Sequence, residues 1–316
     1  MRRAALGDAT ISVVGFGTWE AGGGVWGENE SDDRVIDAIR AGLDAGITWV
    51  DTAEVYGRGR SEELVGRAIE GREVFVATKV APQPGGTGFR ATEIRAACEA
   101  SLRRLGRERI DLYQLHWPDD SGVPLEETWE AMAALVEEGL AGHVGVSNFD
   151  RERIETCSRV RRVDSLQTHF SLLHPGNRDL IAWCGKRGIA TVVYGPLAYG
   201  LLTGAIDADT EFGEDDWRSG AVGSMSYYRQ LFAPGKLERS LAAVGRLRPI
   251  AARLGIGVAQ LALAWTLHQE GVTSAIAGSR NPDHARENAA AGSSELPPDV
   301  LDEIEEEVLP LGPDFA

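Results

Sequence analysis

Residues 46–57 read GITWVDTAEVYG. Gly46 closes an amphipathic segment, and Ile47-Thr48-Trp49-Val50 is a short β-branched and aromatic run that suits a buried strand. The run stops on Asp51, and Tyr56 follows five residues later in loop-like sequence. One carboxylate after one strand is ordinarily a turn residue or a helix cap. Here the pattern recurs along the chain, and the recurrence decides the fold.

Strands are expected at Val13–Thr18, Ile47–Asp51, Val74–Lys79, Ile110–His116, His143–Ser147, Ser165–His169, Ala190–Gly195 and Thr273–Gly278. Helical patterns lie between them at Ser31–Ala45, Ser61–Ile69, Thr92–Leu105, Leu125–Glu138, Asp150–Arg161, Asp179–Arg187 and Ile250–Gln269. Ser31 and Asp150 read as N-caps with acidic first turns, and Gly46, Gly139 and Gly188 as stops. Eight strands alternating with helices point to one parallel sheet, and eight strands close a barrel filled by its own side chains. The expected fold is therefore α/β, an (α/β)8 TIM barrel in a single domain over residues 1–316. On strand count alone an open doubly wound sheet is the rival. Arg3–Leu6 and Ala9–Val13 would add an N-terminal hairpin. The rhythm breaks only between Tyr199 and about Gly235, a long loop after strand seven. Its aromatics Phe212, Trp217, Tyr227, Tyr228 and Phe232 favour packing.

Seven of the eight runs deliver a polar group at the carboxyl end: Asp51, Lys79, His116, Ser147-Asn148, Gln167, Tyr194 and Gly278-Ser279-Arg280. In a barrel those ends share one rim, where the chemistry of this fold sits. Singly, each has an ordinary structural role; together they point to a site. Lysine occurs only at 79, 186 and 236 among 32 basic residues, so a titratable ammonium at a strand end stands out. A tyrosine is a weak acid, with a reference pKa of about 10. A neighbouring ammonium stabilises its phenolate and is expected to lower that value, while a carboxylate holds the ammonium in a dry pocket. Asp51, Lys79, Tyr56 and His116 would thus protonate an oxyanion as it develops, without metal or covalent intermediate. Electrons have to come from elsewhere.

The net charge of −16 opposes a general nucleic-acid or anionic-membrane partner. Signal-peptide and membrane-span patterns are absent, and a cytoplasmic location is expected. Three scattered cysteines, Cys98, Cys157 and Cys184, suggest neither a zinc knuckle nor a disulfide framework. Asn29-Glu30-Ser31 matches a glycosylation sequon, of little weight without a secretion signal. Gly22–Gly27 fits G-x-G-x-x-G, but its last glycine precedes the helix opening at Ser31, and Trp26 stands where backbone would approach a pyrophosphate. It is discounted.

WVDTAEVYGRGRSEELVGRAI, VFVATKV, IDLYQLHWPD, GHVGVSNF, YGPLAYGLLTG and AIAGSRNPDHARENAAA resemble the aldo-keto reductase superfamily over about residues 5 to 310. The long loop is similar to that of bacterial members. The resemblance implies a barrel that binds NADPH across its carboxyl-end rim and reduces a small-molecule aldehyde or ketone, with NADH bound more weakly. By motif position it makes Tyr56 the general acid, Lys79 its partner, Asp51 the counter-ion and His116 the carbonyl orienter. Ser147, Asn148 and Gln167 would hold the carboxamide, and Tyr194 would stack on the nicotinamide. Gly195, Pro196, Leu197 and Gly278 line the same cofactor track. Ser279 and Arg280 match contacts to the 2′-phosphate, and Glu287 and Asn288 match contacts to adenine. Arg280 with the amides opening the next helix would also make an anion site on physical grounds. His284 stands where many relatives carry a phosphate-binding arginine, which weakens exclusion of NADH. Trp19, Trp26, Trp117, Tyr56 and part of the long loop would line a substrate pocket suited to apolar or aromatic carbonyls. Two other readings stay open. One is an NADP(H)-binding redox-sensing partner, since channel-associated β subunits are similar; the other is a Schiff-base lyase using Lys79. Oligomeric state is left open.

Overall fold

The computed structural model describes residues 1–27, 31–82, 89–119, 122–220 and 226–312. Asn29 and Glu30 of the sequon therefore lie outside the described residues, as does the side chain of Tyr227. The chain opens with an antiparallel hairpin, β1 (Arg3–Leu6) paired to β2 (Ala9–Ser12). Eight parallel strands follow: β3 (Val14–Gly17), β4 (Trp49–Asp51), β5 (Phe75–Val80), β6 (Ile110–Leu115), β7 (Ala141–Ser147), β8 (Ser165–His169), β9 (Ala190–Tyr194) and β10 (Val272–Gly278). They close as β10-β3-β4-β5-β6-β7-β8-β9, the barrel expected from the alternation rather than an open sheet.

The helices are α1 (Asp32–Asp44), α2 (Arg60–Ala68), α3 (Ala91–Leu105), α4 (Leu125–Glu137), α5 (Arg151–Val160) and α6 (Arg178–Gly185). After the long loop come α7 (Ser226–Arg229), α8 (Lys236–Leu254), α9 (Val258–Leu267), α10 (Pro282–Ala291) and α11 (Pro298–Glu307). Side-chain caps set several starts: Ser31 accepts from the Arg34 amide at 3.3 Å and Asp150 from the Arg153 amide at 2.9 Å.

Burial is layered in a way that explains the rim. One apolar shell lies between strands and helices. A second, smaller cluster fills the barrel interior with Trp49, Ala77, Leu112, Ala190, Val192 and Ile276. Leu6 and Ile11 of the hairpin join that cluster and close the amino-terminal end. Apolar filling thus occupies one end, and Asp51, Lys79, Ser147 and Gln167 lie at or near the other.

One helix differs from expectation. Residues 250–269 are not one helix: α8 ends at Leu254, Gly255 takes φ 68°, and α9 restarts at Val258 at 91° to it. Gly255-Ile256-Gly257 supplies the break, because glycine accepts the left-handed conformation that ends a helix. α8 also begins well upstream, at Lys236, and carries Pro249 inside it. No single helix among the described residues is long and apolar enough to cross a membrane. The bent pair α8–α9 meets that test only jointly, and Leu261 to Leu267 are buried in the core. Cys98, Cys157 and Cys184 are free, buried thiols.

Candidate active site

Asp51 ends β4 and Lys79 lies near the end of β5, on neighbouring strands. Their carboxylate and ammonium meet at 2.6 Å with both side chains buried. The Lys79 Nζ also donates to the Thr52 carbonyl at 2.8 Å. Asp51 uses its second oxygen to accept from Gln167 Nε2 at 2.8 Å. Gln167 sits on β8, directly opposite β4 in the strand order, so this bond crosses the barrel mouth and fixes the carboxylate from both sides.

Tyr56 opens a tight turn, residues Tyr56–Gly59, in the loop after β4. That turn packs against the loop after β3: a Cβ on Gly57 would lie 2.3 Å from the Gly22 carbonyl oxygen, and Gly57 has φ 61°. Only glycine allows this approach, and it swings the phenol back over the rim. The Tyr56 hydroxyl is 3.5 Å from Lys79 Nζ, the outer limit of a hydrogen bond. His116 follows β6, with its amide held by the Val80 carbonyl at 2.9 Å. Its ring meets Tyr56 edge-on, 5.6 Å between centroids. Its Nδ1 is buried without a hydrogen-bond partner among the described residues.

Burial dominates the titration of all three groups. It pushes the Tyr56 phenol well above its ordinary value, assisted by Asp51 and then Tyr228. Lys79 does not reverse this, contrary to the lowered phenol expected from the sequence; the phenol is firmly protonated and so available as an acid. Burial draws the Lys79 ammonium down, and Asp51 pulls it back up. Burial, then the charge of Lys79, hold His116 well below the usual imidazole range. His116 is therefore neutral and keeps one N–H to donate.

His169 and His174 are also buried and depressed by desolvation, His169 well below its ordinary value. Below about pH 6.5 the unfolded chain protonates all three histidines while the folded chain resists. The unfolded state then binds more protons, so stability is complete above that pH and falls as pH drops. Each histidine contributes a slope of about 1.4 kcal/mol per pH unit at most. Urea midpoints at pH 7.5 and 5.5 check this: the lower pH should give a clearly lower midpoint, and equal midpoints would contradict buried neutral histidines.

Asn148 follows β7 with φ 61°. Its Nδ2 donates to the His116 carbonyl and to Ser147 Oγ, each at 3.1 Å. Its Oδ1 accepts from the Tyr194 hydroxyl at 2.8 Å. Asn148 is thus a bracket tying the ends of β6, β7 and β9. Ser147 Oγ accepts in that bond and keeps its proton to donate. Tyr194 ends β9, and its hydroxyl also meets that of Tyr228 from the long loop at 3.0 Å.

Just after β10 the Ser279 Oγ accepts from the Asn281 amide at 3.0 Å, and Arg280 Nη2 donates to the Trp26 carbonyl at 3.0 Å. Asn281 caps α10 through the Asp283 amide, and Pro282 has no N–H. The amides opening α10 are therefore less free for an anion than the sequence suggested. His284 and Glu287 are exposed, Asn288 is buried. Half-buried Glu20 sits among charges: burial raises its carboxyl, and Arg280, Arg218 and His284 draw it down.

Trp19 lies 6.4 Å from Tyr56 between ring centroids, and exposed Trp117 lies 4.4 Å from His116. Trp26 is buried edge-on against Trp19 and Trp217, unlike the exposed Trp117. Gly22–Gly27 forms a loop that pairs with the long loop through Trp26 and Asp216, not a helix start. The long loop packs as its aromatics suggest, with Phe212 on Phe232 and Trp217 buried. Sequence reasoning missed Glu62, fully buried behind the site, which accepts from Thr78 and Arg104 at 2.6 Å each.

A model of the aldo/keto reductase family matches residues 13–308. The chain belongs to the aldo/keto reductase family. Aldo-keto reductase YhdN of Bacillus subtilis is 38% identical over 281 residues, covering 86% of this chain and 82% of that protein. The glycerol dehydrogenase AKR11B4 from Gluconobacter oxydans superposes with a TM-score of 0.86 at 32% identity, over 99% of this chain and 98% of that one. An aldo-keto reductase from Klebsiella pneumoniae, solved in complex with NADPH, gives 0.75 at 31% identity over 99% and 97%. This aldo/keto reductase is thus an oxidoreductase by family.

Proposed function

We propose that this protein reduces aldehydes or ketones to alcohols with NADPH. The observation that carries the proposal is the assembly of Asp51, Lys79, Tyr56 and His116 at one end of the barrel, two of them joined at 2.6 Å. The residues suit the cofactor. Tyr194 offers a ring whose hydroxyl is pinned, beside the Ser147 hydroxyl and Asn148. Ser279 and Arg280 stand at the end of β10, the strand adjoining β9, where a phosphate could be held. The Asp51-bound Gln167 amide nitrogen is already used, so Gln167 would act on a carboxamide through its oxygen.

Bound NADPH would supply hydride to the carbonyl carbon. Tyr56 donates its proton to the carbonyl oxygen as negative charge develops there. The Lys79 ammonium, fixed by Asp51 and the Thr52 carbonyl, stabilises the phenolate left behind. Neutral His116 donates an N–H to the same oxygen and orients it. Trp19 and exposed Trp117 favour apolar or aromatic carbonyls over charged ones. The NADP(H)-binding partner reading remains less favoured, because a protein needing only to bind has no use for a buried acid and its ion pair. A Schiff base at Lys79 is disfavoured by a fully buried amine already bonded to Asp51 and Thr52.

Arg280→Ala tests the phosphate assignment. Loss of a charge-assisted hydrogen bond should weaken NADPH by about 10- to 100-fold and NADH by less than about 2-fold, measured by tryptophan quenching. Equal losses for both would refute the assignment.

A further inference from the structure

β8 and β9 pair in parallel with His169 opposite Tyr194. Register partners on adjacent strands point to the same face of a sheet, so their side chains must share space. Here the two rings lie parallel, 5.3 Å between centroids and 14° between planes. A second histidine continues the column. Ser171 and His174 bond to each other's backbone in both directions, at 3.2 and 3.0 Å. This tight return lays the His174 ring on His169, 4.2 Å and 27° away. The end of β8 is pinned as well, since Asn177 Nδ2 donates to Thr168 Oγ1 and to the His169 carbonyl at 2.9 Å each.

The column also reaches the backbone that follows Tyr194. A Cβ on Gly195 would fall 2.8 Å from the His169 ring, and Gly195 takes φ 67°. Tyr228 meets His169 edge-on at 5.6 Å. His169 is thus confined on several sides, and Tyr194 is flanked by a ring that cannot turn without moving its neighbours.

We infer that His169, backed by His174, is a positioning residue that fixes the plane of Tyr194 for the nicotinamide ring on its opposite face. The inference rests on the reading of Tyr194 as the stacking residue. Burial keeps both histidines neutral, and His174 draws His169 down further, which suits the step: hydride loss leaves a positive nicotinamide ring, and a cationic histidine behind Tyr194 would oppose it.

The test compares His169→Leu and His169→Asn, which lack a ring, with His169→Phe, which keeps one. Each is titrated with NADPH and with 2′-phospho-ADP-ribose, which lacks the nicotinamide. Losing the backing ring should weaken NADPH by about 3- to 10-fold, an offset-stacking contribution, and leave the fragment unchanged. His169→Phe should restore NADPH binding to near wild type. The inference is overturned if the ringless variants bind NADPH normally, if the fragment weakens equally, or if His169→Phe is as poor as they are. If Tyr194→Ala leaves wild-type NADPH affinity intact, the stacking reading itself falls, and this inference with it. The two failures are therefore distinct. Should one ringless variant not fold, the other together with His169→Phe decides the matter.

Discussion

Tyr56→Phe should lower kcat on the order of 10³-fold while leaving the NADPH dissociation constant within about 2-fold. The substitution removes one oxygen and keeps the ring that meets His116 edge-on, so packing and fold should persist. What is lost is the proton source. The phenol is held protonated by burial and by Asp51, and His116 is held neutral, so its weakly acidic N–H is a poor substitute donor. Because the tyrosine acts on the carbonyl oxygen as charge develops, the loss should fall on kcat more than on KM. Near-native reduction by Tyr56→Phe would show that the acid lies elsewhere. Steady-state rates with one aromatic aldehyde, with NADPH binding measured separately, decide it.

Lys79→Met should be as damaging to turnover and, unlike Tyr56→Phe, costly to the fold. Lys79 and Asp51 are both buried, and removing one member of a buried pair strands the other charge at a cost of about 3 to 5 kcal/mol. Gln167 still bonds to Asp51 and relieves part of this, so the lower end is expected. The double variant Lys79→Met with Asp51→Asn removes the stranded charge and should recover much of the stability without any activity. Thermal or urea unfolding of the single and double variants separates the two roles. If the double variant is no more stable than the single one, the pair does not matter to stability as described; if Lys79→Met retains turnover, the ammonium has no part in the proton transfer.

The barrel and its polar rim were legible because parallel strands must bury both faces. A run such as Trp49-Val50 is apolar until it leaves the core, so Asp51, Lys79 and His116 mark where it leaves. The long loop's packing was legible from its aromatics for a similar reason. Features set by contact between segments distant in sequence were not. Glu62 looks like an ordinary charge in the first turn of α2, and only the fold brings Arg104 and Thr78 to it. His169 reads as one more strand residue until the register sets it against Tyr194. The raised phenol of Tyr56 also escaped the sequence argument, which weighed the neighbouring ammonium but not the loss of solvent. The α8–α9 break was signalled by Gly255 and Gly257, yet the continuous apolar pattern on either side outweighed them.

The most direct test of carbonyl reduction follows the hydrogen itself. The protein is incubated with an aromatic aldehyde and NADPH deuterated at the transferable nicotinamide C4 position, and the product alcohol is examined by mass spectrometry. Deuterium at the carbinol carbon, formed by the wild type and almost abolished in Tyr56→Phe, is the predicted result. Tight NADPH binding with no labelled alcohol from aromatic or aliphatic aldehydes and ketones would contradict the reductase reading.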